Sequence, residues 1–325
     1  MLTNLNNLSM SIAVWLADDD YDHNKDTNTL SATSLLKPTK SILLSSSIPT
    51  QAASVDVLDL VPSRMGTALH TAIEQAWLKT DLNDTLAKLN LPNKIRNNIV
   101  VNPNPEDLTE DSIPIYMEIR RERELLGFTI TGKFDFICDG VLEDFKSTST
   151  FNWINQSNKQ KYIEQGSIYR WLNPDLITED YMRIQYIFTD WSAVKAKSDP
   201  TYPKSRIVTE KYPLMTPGET EAFIANKLNE LIRYKDLDQS AMPVCTAEEI
   251  WQRPAVYKYY KNPANKTRST KNFDEYWQAY QRYVDDGSIG EIVTVEGSVG
   301  FCRYCPAVSI CEQAHDYIRK GQLIL

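Results

Sequence analysis

The sequence predicts a mixed α/β protein: a central sheet flanked by helices, followed by a C-terminal subdomain organised by cysteines. Three observations predict it. Residues 127–146, GFTITGKFDFICDGVLEDFK, read as a hairpin around Asp139-Gly140, a strong two-residue turn signal because a type I′ turn needs positive φ at both positions. Strand-like stretches at 114–121, 182–189 and 206–214 are interspersed with helical ones at 62–79, 157–172 and from 217 onward. Four of the five cysteines fall beyond residue 240.

The hairpin turn fixes a register. Counting outward, Cys138 pairs with Val141, Ile137 with Leu142, Phe136 with Glu143 and Asp135 with Asp144, so the two aspartates face one another and Lys146 shares their side. Cross-strand partners have Cβ atoms roughly 4.5–5.5 Å apart, and like charges there are destabilising unless something neutralises them. A divalent cation does so. Two carboxylates beside a lysine suit Mg²⁺ or Mn²⁺ and phosphodiester cleavage, with the ammonium orienting water and holding transition-state charge. An ordinary exposed hairpin with scattered charges is the competing reading.

Composition bounds the setting. A chain of 325 residues with 42% hydrophobic content forms one large domain or a core with an appendage. No apolar run is long enough to span a membrane, and the N-terminus lacks the basic flank and cleavage site of a signal peptide, so a cytoplasmic protein is expected. A net charge of −8 is adverse for a nucleic-acid binder. Residues 250–273 run against it, with Arg253, Lys258, Lys261, Lys266, Arg268 and Lys271, no acid, and Trp251, Tyr257, Tyr259 and Tyr260 interleaved. That pattern fits a backbone-tracking groove for single strands, or a solvated loop whose aromatics belong to the core.

In chain order, residues 1–60 are weakly patterned, with an acidic start (Asp18, Asp19, Asp20, Asp22, Asp26) and a short helix or strand bracketed by Pro38 and Pro49. Residues 62–79 form a helix with an apolar stripe of Met65, Leu69, Ile73 or Ala72, and Ala76. Gly66, His70 and Glu74 fall at i, i+4 and i+8, a second stripe on the same helix. His70, one of three histidines, is a packed helical histidine or a metal ligand beside the carboxylates. Residues 114–121 read as a strand carrying Glu118, which either supports the metal site or pairs with an arginine on an edge strand. The helix 157–172 ends before Asn173-Pro174 and sets Gln165 and Tyr169 on one face. Two further strands extend the sheet, and Thr216-Pro217-Gly218-Glu219 opens a capped helix with the stripe Ile224, Leu228, Leu231 and Ile232.

From about residue 240 the character changes. Cys302, Cys305 and Cys311 form a Cx2Cx5C pattern, and Cys245 supplies a fourth thiolate across 56 intervening residues. Zinc and an iron–sulfur cluster both accept four cysteines. Cys138 alternates away from the Asp135 face, toward the core.

These residues resemble the RecB-type branch of the PD-(D/E)xK nucleases. Four motifs occur in the family's order: GxxxH as Gly66 to His70, GxxD as Gly132 to Asp135, DxK as Asp144 to Lys146, and QxxxY as Gln165 to Tyr169. The resemblance implies a restriction-endonuclease-like PD-(D/E)xK core in which His70, Asp135 and Asp144 bind one or two Mg²⁺ or Mn²⁺ ions, Lys146 assists hydrolysis, and Gln165 and Tyr169 hold the strand. The cysteine pattern resembles the iron–sulfur subgroup, which includes AddB-type and CRISPR-associated nuclease domains, and implies a 4Fe-4S cluster, with Zn²⁺ as the alternative. In those relatives the first cysteine precedes the histidine motif, whereas here Cys245 must take that place. The arrangement is similar to stand-alone phage exonucleases.

The expected organisation is an N-terminal segment packing on the core (1–60), a nuclease core (61–239) and a cluster subdomain (240–325). The expected function is a metal-dependent DNA exonuclease acting on ends or single strands in phage-type recombination, replication or degradation. The alternatives are a structure-specific endonuclease, a catalytically silent nucleic-acid-binding subunit of a recombination or replication assembly, and a zinc-stapled regulatory protein.

Overall fold

Six strands hydrogen-bond side by side in the order Ile207–Pro213, Tyr181–Phe188, Val141–Thr148, Phe136–Cys138, Ile113–Met117 and Ile99–Val101. The structure, a computed structural model, describes residues 2–18, 28–48 and 55–325. The sheet is mixed. Val141–Thr148 runs parallel to Tyr181–Phe188, and the helix Lys159–Leu172 lies in the crossover that a parallel pair requires. Along Tyr181–Phe188 every second residue is buried, namely Met182, Ile184, Tyr186 and Phe188. No helix among the described residues is long and apolar enough to cross a membrane.

The hairpin has the register that its turn dictates, with Cys138 opposite Val141, Ile137 opposite Leu142 and Phe136 opposite Glu143. Asp139 and Gly140 both take positive φ, 51° and 71°. Asp135 is not in the ladder. It sits at a bend one residue before the strand, because the chain here passes from one sheet to another. Strand Phe128–Lys133 belongs to a separate three-stranded sheet, between Thr29–Ser31 and Arg120–Leu125.

The expected single strand over 114–121 is correspondingly two. Ile113–Met117 pairs with Phe136–Cys138 in the larger sheet, and Arg120–Leu125 pairs with Phe128–Lys133 in the smaller. One long hairpin, closed at Leu126 and Gly127 with φ of 52° and 79°, therefore bends in both arms at the same level. Glu118 takes φ of 52° at the corner, where non-glycine residues are uncommon, and its N–H donates to the Asp135 carbonyl at 3.3 Å. Phe134 anchors the corner and is fully buried.

The helix Val61–Trp77 lies against Val141–Thr148. Its half-buried side is Leu69, His70, Ile73, Glu74 and Trp77, with Gly66. Met65 and Ala76, expected on the apolar stripe, are exposed, since the stripe that contains His70 is the one turned to the sheet. The helix Pro217–Tyr234 is capped as expected: Thr216 N–H donates to Glu219 Oε2 at 2.8 Å, and Glu219 N–H to Thr216 Oγ1 at 3.3 Å. Ile224, Leu228 and Leu231 are buried there, while Ile232 is exposed because it falls beyond the width of the buried stripe.

The chain divides into two units, Met1–Leu36 with Ser54–Asn229 and Lys37–Ala53 with Glu230–Leu325. The second unit thus begins near 230 and takes in a piece of the N-terminal segment. The helix Thr39–Ser46 is that piece, and Leu44 joins a buried cluster with Ile250, Val299, Cys302, Ala307, Cys311, Ala314 and Leu323. Pro49 and the acidic run beyond Asp18 lie outside the described residues. The second unit also holds a three-stranded antiparallel sheet in the order Lys271–Phe273, Val256–Tyr260, Glu291–Val295. Tyr259 and Tyr260 are buried in it, so half of the aromatics interleaved in 250–273 serve the core.

Candidate metal-binding and catalytic site

The bent hairpin and the helices Val61–Trp77 and Lys159–Leu172 converge on one groove in the first unit, lined by His70, Glu118, Lys133, Asp135 and Tyr169. One ligand atom each from His70, Glu118 and Asp135 lie within 4.8 Å of one another. The corner produces this grouping. Asp135 and Glu118 are brought together by the backbone hydrogen bond across the bend, and the helix adds His70 from above.

Each donor is oriented. Asp135 Oδ2 accepts the Phe145 N–H at 2.8 Å, which leaves Oδ1 toward His70 Nδ1 at 3.4 Å. His70 Nε2–H donates to the Phe145 carbonyl at 2.9 Å, so a neutral ring turns the Nδ1 lone pair into the cluster. Burial alone lowers the basicity of His70, but the hydrogen bond and charge of Asp135, with Asp144 beyond, outweigh it and hold the imidazolium up to about 9. Glu118 ion-pairs with Lys133. Burial raises the Glu118 carboxyl above its ordinary value; Lys133 opposes the rise, and the charges of Asp135 and Glu74 add to it.

Asp144 is nearly inaccessible, and its Oδ2 lies 2.5 Å from Lys146 Nζ. Burial pushes Asp144 up to about 6; Lys146 works against that and the Asp135 charge adds to it. Lys146 is also raised: burial disfavours its charge, yet Asp144 and Asp135 more than restore it. The ammonium donates to Gln165 Oε1 at 3.2 Å, and Gln165 Nε2 donates to the Tyr169 hydroxyl at 2.8 Å. An unbroken polar chain therefore runs Asp144, Lys146, Gln165, Tyr169. Gly132 makes room for it, since a Cβ there would stand 2.7 Å from Leu172 Cδ1 and 3.0 Å from the Tyr169 ring.

The structure thus brings all six of the expected catalytic residues and Glu118 into one neighbourhood, in two groups. His70, Glu118 and Asp135 form the close donor cluster, and the Asp144 carboxylate is turned toward Lys146. Glu118 pairs with a lysine, not an arginine. Lys133 was not singled out in the sequence, although it lies inside the GxxD motif; nothing marks it until the hairpin bend places it opposite Glu118. One nitrogen and several carboxylate oxygens suit Mg²⁺ or Mn²⁺. Burial is the main reason that the carboxyls of Glu118 and Asp144 are raised, and the charge of Asp135 adds to both; a divalent cation would favour their ionised forms. The residues fit such an ion.

In the second unit Cys245, Cys302, Cys305 and Cys311 line one largely apolar cavity with Lys40, Ser41 and Leu44 of the helix Thr39–Ser46. Cys245 is pushed up to about 12 by burial, Glu249 and the other three thiols, and Cys302 to about 11 by burial, Cys305 and Cys311. No three of the sulfurs lie within 4.8 Å of one another. The cavity is held by side-chain clamps: Gln313 Oε1 accepts from Cys245 N–H and its Nε2 donates to the Cys245 carbonyl, both at 2.9 Å. Ser41 Oγ and Cys305 Sγ are 3.2 Å apart. The clustered thiols fit a thiophilic metal group, since each disfavours the others' ionisation until a cation is present. Ser41, Lys40 and Gln313 carry no signal in the sequence. Cys138 is half-buried and packs on Ile115, Met117 and Phe136.

No family profile and no curated protein sequence matches the chain significantly. Among solved structures it is similar to the crystal structure of SSO0001, with a TM-score of 0.41 and 16% identity over 73% of this chain and 94% of that one. It is also similar to a phage related exonuclease from Haemophilus somnus 129PT, with a TM-score of 0.24 and 17% identity over 37% of this chain and 62% of that one. These are distant likenesses, and the chemistry of the site stands on its own residues.

Proposed function

We propose that the protein is a divalent-metal-dependent deoxyribonuclease, acting as an exonuclease on DNA ends or single strands. The observation that carries this reading is the oriented cluster of His70, Glu118 and Asp135 beside a lysine held by Asp144 and Gln165. A bound Mg²⁺ or Mn²⁺ would lower the pKa of its water and take up charge on the phosphate oxygens. His70, Asp135 and Glu118, with Asp144 behind them, would hold it. Lys146 has three N–H donors, of which Asp144 and Gln165 engage two. The ammonium also lies 5.3 Å from the Tyr162 ring centroid, and its charge is kept by the buried Asp144; a phosphate oxygen or the attacking water would take up its remaining donor. Tyr169, tethered through Gln165, borders the groove where a strand would lie.

The four thiols would hold a 4Fe-4S cluster that fastens the loops of the second unit. Zinc, which also accepts four thiolates, is the alternative. Iron content and a visible absorption band in anaerobically purified protein support the cluster; stoichiometric zinc without colour supports the alternative.

The exonuclease reading is tested by incubating wild-type protein and Asp144→Ala with linear and covalently closed circular DNA in Mg²⁺ or Mn²⁺. Loss of the linear DNA alone, abolished in the variant, is the expected result. Cut circles would make it an endonuclease, and degradation that persists in Asp144→Ala would sink the assignment of the site. No products from any form would leave a nucleic-acid-binding subunit with a silent site.

A further inference from the structure

The helix Tyr276–Asp285 packs on all three strands of the second unit's small sheet and buries only Ala279. Tyr276, Trp277 and Tyr280 remain 51%, 65% and 51% exposed. Four residues apart on a helix, Tyr276 and Tyr280 stack with centroids 6.3 Å apart and planes inclined by 19°. Tyr283 continues the row at 6.0 Å from Tyr280, and Tyr257 on the central strand meets Tyr276 edge-on at 5.6 Å. Across the ladder Tyr257 faces Phe273, and Tyr259 faces Lys271. Directly opposed residues share a face of the sheet, so Phe273 and Lys271 lie on the side of the tyrosines. The Lys271 ammonium is 5.0 Å from the Phe273 ring centroid.

The surroundings are basic in an acidic chain. Residues 253–283 contain seven lysines and arginines against Asp274 and Glu275, while the whole protein carries a net charge of −8. Lys261 and Arg282 share the single carboxylate of Asp286, and Lys266 pairs with Glu291. Arg268 and Lys271 make no ion pair among the described residues. An exposed row of stacked tyrosines with the cation of Lys271 beside it, and Arg268 three residues before that lysine in the chain, is matched by a polyanion with planar rings. Aromatic rings outnumber aliphatic side chains on this stripe, which continues from Tyr276 and Tyr280 to the exposed Val284.

We propose that Tyr276, Tyr280 and Tyr257 form a stacking platform for the bases of single-stranded DNA, with Lys271 and Arg268 on its phosphates. The biological sense of the platform rests on the nuclease reading, but binding is measurable without cleavage. The probe is a fluorescently labelled oligothymidylate, compared with an abasic strand of equal length by anisotropy, in the Lys146→Ala background without added divalent ion. The parent should prefer oligothymidylate by about tenfold or more, since each stacked base contributes through its ring face. Tyr276→Ala/Tyr280→Ala should erase that preference and leave the abasic affinity unchanged, while Tyr276→Phe/Tyr280→Phe should keep it.

Equal affinity of the parent for the two strands overturns the proposal, as does full oligothymidylate binding by the Ala pair. If that pair fails to fold, the comparison of strands on the parent decides alone. Base preference in a protein whose wild-type form cuts no DNA would uphold the platform and end the nuclease reading. Cleavage without base preference would do the reverse.

Discussion

The carboxylate site and the cysteine site are both clusters of ligand-type residues, yet they are built by opposite means. In the first unit every functional side chain stands on a strand, a helix or the bend of a hydrogen-bonded hairpin. Backbone groups of Phe145 fix both His70 and Asp135. In the second unit the thiols sit on short 3₁₀ turns and loops, tied by glutamine clamps and by one helix from the far end of the sequence. A site carried by a sheet keeps its shape without its ion, whereas a site carried by loops depends on its metal for its shape. Loss of metal should therefore silence the first unit and loosen the second.

The largest effect expected is on chemistry. On the proposed function, Lys146→Ala removes the cation that would stand beside the reacting phosphate and should lower the turnover of DNA cleavage by about 10²–10³-fold, measured under saturating Mn²⁺. The far-ultraviolet circular dichroism should stay that of the wild type; a collapsed spectrum would put the lysine among the groups that hold the fold.

Next in size is the response of the second unit to losing a ligand. Cys305→Ser should abolish the visible absorption and speed limited proteolysis within residues 240–311 by about tenfold or more, a shift of about 1.4 kcal/mol in local opening. Protection of the strands Val141–Thr148 and Tyr181–Phe188 in hydrogen exchange should not change. Equal loosening of both units would erase the contrast drawn above.

The two motif glycines sharpen it further. Gly132→Ala forces a methyl against Leu172 and Tyr169 and should cost about 1–3 kcal/mol in denaturant unfolding, with activity falling as Tyr169 shifts. A Cβ at Gly66 meets only Ser147 Oγ, at 3.6 Å, and alanine there should be neutral or stabilising by up to about 1 kcal/mol, since it is a better helix former. Equal costs at the two positions would mean that the close approach at Gly132 is relieved by movement.

The smallest effect is a proton. With His70 held up to about 9, the metal-free ring is protonated at neutral pH, and a cation can take Nδ1 only as that proton leaves. Affinity for Mn²⁺ should rise by up to about tenfold between pH 7 and pH 8 and level off above about 9. Calorimetry in buffers of different ionisation enthalpy should show up to one proton released. In the metal-free protein the same shift works in the other sense: the stabilisation is complete below the ordinary histidine range and fades as the pH rises through about 9.

The parts of this account legible in the sequence are those set by local rules. Asp139-Gly140 dictated the register from Cys138 to Phe136, the strand-like stretch 182–189 lies within one residue of Tyr181–Phe188, and helical spacing aligned Gly66, His70 and Glu74. What escaped was decided at long range. The bend at Glu118 arises because one hairpin serves two sheets, and a glutamate at positive φ has no sequence signature. Leu126 in the second turn is equally silent. Residues 37–48 join the cysteine unit through contacts some 200 residues away, which periodicity cannot report. In 250–273 the interleaving did not say which aromatics are covered: Tyr259 and Tyr260 are buried, Trp251 is exposed, and the further exposed aromatics Tyr276, Trp277 and Tyr280 belong to the next helix.

The most direct test of the central claim is a time course of a 5′-labelled and a 3′-labelled linear DNA strand with wild-type protein and Asp135→Asn, in Mn²⁺ and in chelator. Progressive shortening by the wild type in Mn²⁺ alone, absent from the variant, is the predicted result, and the label released first gives the polarity. Shortening that survives chelation, or that Asp135→Asn performs as well as the wild type, would contradict a metal-dependent nuclease built on this cluster.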